Sequence, residues 1–141
     1  MKQKKLDRLF LNIAKEISTL SHCVRAKVGT ILVKDGNIIS MGYNGMPSGM
    51  DNCCEETTED GGLITRSEVL HAESNALLKA ARMGLSTQDT TMYCTLSPCK
   101  DCSKLIMQSG VKRVVYLELF SRDNGSVDFL KQFISVEQYD N

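Results

Sequence analysis

Apolar residues recur at helical spacing through the first twenty positions. Leu6, Leu9, Phe10, Ile13, Ile17 and Leu20 follow i, i+3, i+4 spacing, with charged residues between them. One face of a 3.6-residue repeat collects them, so the spacing predicts an amphipathic first helix ending near the Ser21-His22 turn. The period then changes. Residues 28–33 form a short β-branched run, Asp35-Gly36-Asn37 interrupts it, and Ile38-Ile39 resumes the apolar pattern. An Asp-Gly pair between two such runs predicts a β-hairpin. Residues 42–62 have no period: they are rich in glycine, contain Pro47 and carry the acidic cluster Asp51, Glu55, Glu56, Glu59 and Asp60. They read as one long loop, and a loop of that length inside a compact domain is functional or disordered.

An Ala- and Leu-rich stretch over 69–83, closed by Gly84, predicts the second helix, and 90–96 the next strand. Ser97-Pro98 reads as a helix start, with Ser at the cap and Pro at the first helical position. That helix runs to Ser109-Gly110, followed by a strand over 111–120, a helix over 126–133 and a last strand over 134–139. With no internal repeat or low-complexity tract, residues 1–141 read as a single domain. The order α-β-β-α-β-α-β-α-β predicts an α/β fold, a mixed sheet covered by helices on both faces.

Composition narrows the function. The chain has 141 residues, 42% apolar and 24% charged, which suits one soluble globular core. Lysine plus arginine total 17 and aspartate plus glutamate total 17, so no global field draws the chain to nucleic acid. No apolar run approaches the roughly 20 residues that span a bilayer, and no signal-peptide core is present. The expectation is a cytoplasmic protein with no membrane partner. In a reducing compartment its six cysteines are expected to bind metal in preference to forming disulfides.

Two short motifs carry the chemistry: His71-Ala72-Glu73 and Pro98-Cys99-Lys100-Asp101-Cys102. A C-x-x-C alone fits a structural zinc pair or a redox pair equally well, and an H-x-E alone says little. Together they offer one imidazole, two thiolates and a spare carboxylate. A structural zinc closes with four protein ligands, whereas a catalytic zinc keeps a position open for water. Three N/S donors beside a glutamate therefore point to hydrolysis. A thioredoxin-type site would need no H-x-E and would place proline between its cysteines. Cys99 and Cys102, three apart at the start of a helix, present their sulfurs on one side, where the positive helix end favours thiolate. His71 and Glu73 are two apart, so they can share a site only at a helix N-terminus. Zinc brings the pKa of bound water to about 7, and Glu73 can take that proton and return it to the substrate.

H-x-E followed by P-C-x-x-C is the recognised signature of zinc-dependent nucleobase deaminases. With it stand Arg25-Ala26-Lys27-Val28-Gly29, Gly42-Tyr43-Asn44-Gly45-Met46-Pro47-Ser48-Gly49, His71-Ala72-Glu73-Ser74-Asn75-Ala76 and Ser97-Pro98-Cys99-Lys100-Asp101-Cys102. On these residues the chain resembles the zinc-dependent cytidine/deoxycytidylate deaminase superfamily over about residues 20–117. The Gly-Tyr-Asn-Gly-Met-Pro stretch makes it most similar to the deoxycytidylate (dCMP) deaminases.

The resemblance implies a three-layer α/β/α cytidine-deaminase-like fold with a mixed five-stranded sheet. It implies Zn2+ on His71, Cys99 and Cys102, with Glu73 as proton shuttle. Asn44 would meet the deoxyribose hydroxyl, and the backbone of Ala72 and the Ser97 region the polar edge of the base. Phe120 would stack on the pyrimidine, or is an ordinary aromatic at a strand end. Arg25 and Lys27, alternating onto one face of a strand entrance, are the candidates for the phosphate. Some members hold a second zinc, for which Cys23, Cys53 and Cys54 are the available thiolates; the alternative is that they are buried or free thiols. Cys94 reads as core.

The resemblance further implies a homo-hexamer regulated by dCTP with Mg2+ and by dTTP, with the effector site placed in the 42–62 loop. The expected reaction is hydrolytic deamination of dCMP to dUMP and ammonia. Competing readings are a deaminase of dCTP, a tRNA adenosine deaminase-like enzyme, and a zinc-stabilised binding module without turnover.

Overall fold

The structure, a computed structural model, describes residues 1–140. In chain order it runs α1 (Lys2–Ser18), β1 (Gly29–Lys34), β2 (Asn37–Tyr43), β3 (Glu55–Thr57), β4 (Leu63–Thr65) and α2 (Ala72–Arg82). β5 (Thr91–Leu96), α3 (Lys100–Gln108), β6 (Arg113–Glu118), α4 (Ser126–Lys131) and β7 (Ser135–Gln138) follow. Five strands form one sheet in the order β2-β1-β5-β6-β7, and β3 and β4 form a separate two-stranded sheet. β1 is antiparallel to both β2 and β5, whereas β5, β6 and β7 are parallel. The main sheet is therefore mixed, as the alternation of elements predicts.

Successive side chains of a strand point to opposite faces, and the core divides accordingly. Ile31, Val33, Tyr93 and Val115 pack with Phe10, Leu11, Ala14 and Ile17 of α1. Leu32, Met92, Cys94, Val114 and Tyr116 pack on the other face with Ala76 and Ala80 of α2, Ile106 of α3 and Leu130 of α4. This is the expected α/β/α sandwich, with Cys94 in the core. The β1–β2 hairpin turns on Asp35 (φ 50°) and Gly36 (φ 78°), the pair of positive φ angles that a two-residue type I′ turn requires. No helix among the described residues is long and apolar enough to cross a membrane.

Several boundaries differ from the sequence expectation, each for a visible reason. α2 begins at Ala72, not at 69, because the backbone of Leu70 is exchanged with Gly45 through N–H···O bonds of 3.1 and 2.8 Å. Ser97 does not cap α3. Its hydroxyl accepts the Phe120 N–H at 2.7 Å, and its own N–H donates to the Glu118 carbonyl. Cys99 takes the cap two residues later. Residues 42–62 are not one continuous loop: Gly42 and Tyr43 complete β2, and Glu55–Thr57 pairs with Leu63–Thr65.

Strand direction positions the site. Because β1 opposes β5, the start of β1, the end of β2 and the C-terminal ends of β5 and β6 share one end of the sheet. Gly42 allows α2 to come close there. A Cβ at Gly42 would lie 2.4 Å from the Ala72 carbonyl oxygen and 2.6 Å from the Ala76 nitrogen.

Candidate active site

Both sequence motifs lie where a helix begins. His71 is the N-cap of α2, in extended conformation at φ −74° and ψ 155°, and Glu73 sits in the first turn. Cys99 is the N-cap of α3, also extended, and its sulfur accepts the Cys102 N–H at 3.5 Å. An N-cap residue has a non-helical backbone, so its side chain does not follow the angular spacing of the helix. His71 and Glu73 can therefore face one site despite their two-residue spacing, as they could not in mid-helix.

The two helix starts converge. His71 Nδ1 lies 3.2 Å from Cys102 Sγ and 3.4 Å from Cys99 Sγ, and all three donor atoms fall within 4.8 Å of one another. Tetrahedral zinc with Zn–S near 2.3 Å and Zn–N near 2.0–2.1 Å separates its ligand atoms by roughly 3.5 Å. The donor set and spacing fit zinc with a fourth position open to solvent or substrate. Among the described residues this is the one His/Cys/Asp/Glu group with ligand spacing that would hold a metal.

The electrostatics follow from the crowding. Hydrogen bonds from the Cys102 thiol and from His71 hold Cys99 down to about 4, a stable thiolate. Cys102 is pushed up by sharing that hydrogen bond and by burial. His71 is raised, first by its hydrogen bond to the Cys99 thiolate. Glu73 is 4% exposed, and burial raises its carboxyl above the usual 4.5 despite hydrogen bonds from Cys102 and Thr30. A carboxyl moved toward neutrality suits a group that must both take and give a proton.

A cavity of about 610 Å³ opens over these groups, lined by His71, Glu73 and Cys99 and by Arg25, Asn44, Glu55, Ala72, Ser97, Phe120 and Arg122. A larger cavity, about 740 Å³, lies under α1 at the opposite end of the sheet. Its ions, buried Asp7 and half-buried Arg113, are bound to each other, and it has no donor cluster among the described residues.

Asn44, Arg25, Ala72, Ser97 and Phe120 thus border the same space as the zinc-type donors. The Asn44 carboxamide is fixed at both ends, its Oδ1 accepting Val28 N–H and its Nδ2 donating to the Ala26 carbonyl, each at 2.8 Å. Arg25 donates to Thr65 Oγ1 at 3.1 Å. Lys27 is not part of the lining: its Nζ donates to the Ser21 carbonyl at 2.6 Å. Residues 25–27 precede β1, so strand alternation does not apply to them.

The second zinc set is overturned. Cys23 and Cys54 form a disulfide, with Cα atoms 5.1 Å apart, leaving Cys53 as a lone exposed thiol. The expectation that these cysteines stay unpaired falls with it.

The sequence reading missed Glu55 and Arg122. Glu55 accepts the Val24 and Arg25 N–H groups, each at 3.0 Å, and so holds the turn that carries Arg25. It was visible only as one member of an acidic run.

Comparison with known proteins agrees with this geometry. The family model "Cytidine and deoxycytidylate deaminase zinc-binding region" matches residues 4–118. Deoxycytidylate deaminase of Enterobacteria phage T4 is 35% identical, covering 92% of this chain and 86% of the phage protein. Deoxycytidylate deaminase of Saccharomyces cerevisiae is also 35% identical, over 94% of this chain but 44% of the yeast protein. The crystal structure of dCMP deaminase from cyanophage S-TIM5 in complex with dCMP and dUMP superposes with a TM-score of 0.87 at 44% identity, covering 95% of this chain and 96% of that one. A zinc-type donor triad at two helix starts, a buried glutamate beside it and a match over most of the chain place this protein in the cytidine and deoxycytidylate deaminase zinc-binding family.

Proposed function

We propose that this protein hydrolyses dCMP to dUMP and ammonia in pyrimidine deoxynucleotide supply. The convergence of His71 Nδ1, Cys99 Sγ and Cys102 Sγ beside buried Glu73 carries the reading. The naming of the T4 and cyanophage relatives as deoxycytidylate deaminases supports the choice of substrate.

When bound to His71, Cys99 and Cys102, zinc supplies a Lewis acid that brings the pKa of water to about 7. Glu73 accepts a proton from the attacking water and hands it to the ring nitrogen beside the amino-bearing carbon. A second transfer through Glu73 protonates the departing amine. The carbon–oxygen bond forms, the carbon–nitrogen bond breaks, and ammonia leaves. Transfer of this kind contributes roughly 10²–10⁴-fold. Asn44, pinned by its two backbone bonds, presents a fixed amide to the sugar hydroxyl. The Ala72 backbone and the Ser97 region meet the polar edge of the base, and Phe120 packs on its face. Arg25 and Arg122, both exposed at the rim, bring positive charge to the phosphate. Cytoplasmic location, hexamer assembly and control by dCTP with Mg2+ and by dTTP complete the reading; sedimentation and effector titration read the last two.

Ammonia release from dCMP, deoxycytidine, dCTP and tRNA tests it. Zinc-loaded wild type is expected to turn over dCMP preferentially, and Glu73→Gln to keep its zinc while losing at least 10²-fold in kcat. A zinc-loaded wild type that deaminates none of the nucleotides sinks the proposal.

A further inference from the structure

Beneath Glu73 lies a part of the sheet that the zinc motifs do not mention. Thr30 and Cys94 are directly paired across β1 and β5, and both are fully buried. Thr30 lies on the sheet face of Leu32, which otherwise packs apolar side chains against α2. A buried hydroxyl in such surroundings needs a partner. Thr30 Oγ1 has one, Glu73 Oε1 at 3.3 Å. Catalytic hydrogen bonds are often this long before substrate binds.

We infer that Thr30 is a positioning residue for the deamination, its hydroxyl fixing the rotation of the Glu73 carboxylate. The inference rests on the deaminase reading above. Thr30 engages Oε1 of that carboxylate. The β-branch restricts the Thr30 rotamer, and strands β1 and β5 hold its backbone. The Cys102 thiol also bonds Glu73, but as a zinc ligand it would give up that proton, which without Thr30 would leave the carboxylate free to turn about its terminal bond. The hydroxyl removes that freedom without touching substrate or metal. A one-ångström or one-rotamer misplacement of a reacting group is costly in rate.

Thr30→Ser, Thr30→Ala and Thr30→Val separate this role from packing. Ser and Ala differ by the hydroxyl alone, and Val keeps the shape of Thr without it. Each variant is assayed with dCMP for kcat and KM, alongside zinc content and melting temperature. Thr30→Ser is expected to hold kcat within threefold of wild type. Thr30→Ala and Thr30→Val are expected to lose about tenfold in kcat, with KM within twofold and one zinc retained. If Val proves too unstable, the Ser–Ala comparison decides alone. Equal kcat in Ser and Ala, or wild-type kcat in Val, overturns the positioning role while leaving the deaminase reading intact. A zinc-loaded wild type inactive on dCMP overturns both.

Discussion

Asp7 shows how one buried charge ties the sheet to α1. Arg113 grips it through two bonds, Nη1 to Oδ1 at 2.9 Å and Nη2 to Oδ2 at 2.7 Å, while Tyr93 and Gln3 also donate to Oδ1. Burial alone would raise the Asp7 carboxyl, but the bonds from Arg113, Tyr93 and Gln3 outweigh it and hold it below the usual 3.8. Removing one member of such a pair strands the other. Asp7→Ala is therefore expected to lower stability by about 3 kcal/mol, read from urea midpoints at neutral pH. The sign with pH follows from the depressed carboxyl. Its contribution is present above the unfolded-state pKa and is lost as pH falls through the lower folded-state value. The gap between wild type and Asp7→Ala should narrow in acid; a gap that widens would contradict the assignment.

At the scale of elements, two helix starts make the site, and what sets them is close approach to the sheet. α2 is seated against β2 where Gly42 has no side chain. Gly42→Ala places a Cβ against the backbone of Ala72 and Ala76, and the first turn of α2 must move. We expect lost zinc by metal analysis and lost activity, with the sheet core retained by circular dichroism; full zinc occupancy would show that α2 is seated by something else. Much of this was legible in the chain. The β-branched run over 28–33 and the Asp35-Gly36 turn encode the hairpin, and the paired motifs encode the donors. What escaped was set by distant partners. Glu55–Thr57 and Leu63–Thr65 are three-residue strands whose Leu63 and Ile64 stay exposed, so they carry no core-facing period. Ser97-Pro98 has the local chemistry of a helix start, but Phe120, twenty-three residues on, claims the hydroxyl. Arg122 reaches the cavity only because β6 ends beside β5.

At the scale of the molecule, the Cys23–Cys54 disulfide closes the segment that brings Arg25 and Asn44 to the cavity. Its sequence separation is 31 residues, and closing a loop of that size limits the unfolded chain by about 3–4 kcal/mol. Cys23→Ser with Cys54→Ser should lower the urea midpoint correspondingly; an unchanged midpoint would mean that the link contributes nothing to the folded balance.

The mixed sheet has a further consequence. Because β1 runs against β5 while β6 runs with it, every junction that feeds the site lies at one end, and the Asp35-Gly36 hairpin lies at the other. The two ends therefore tolerate change unequally. A residue inserted at the hairpin tip extends a solvent-exposed turn and shifts nothing that holds a donor. A residue inserted between Leu96 and Cys99 rotates α3 out of phase and carries both sulfurs away from His71. An inserted residue is therefore expected to be harmless at the hairpin end and costly at the end that holds the donors.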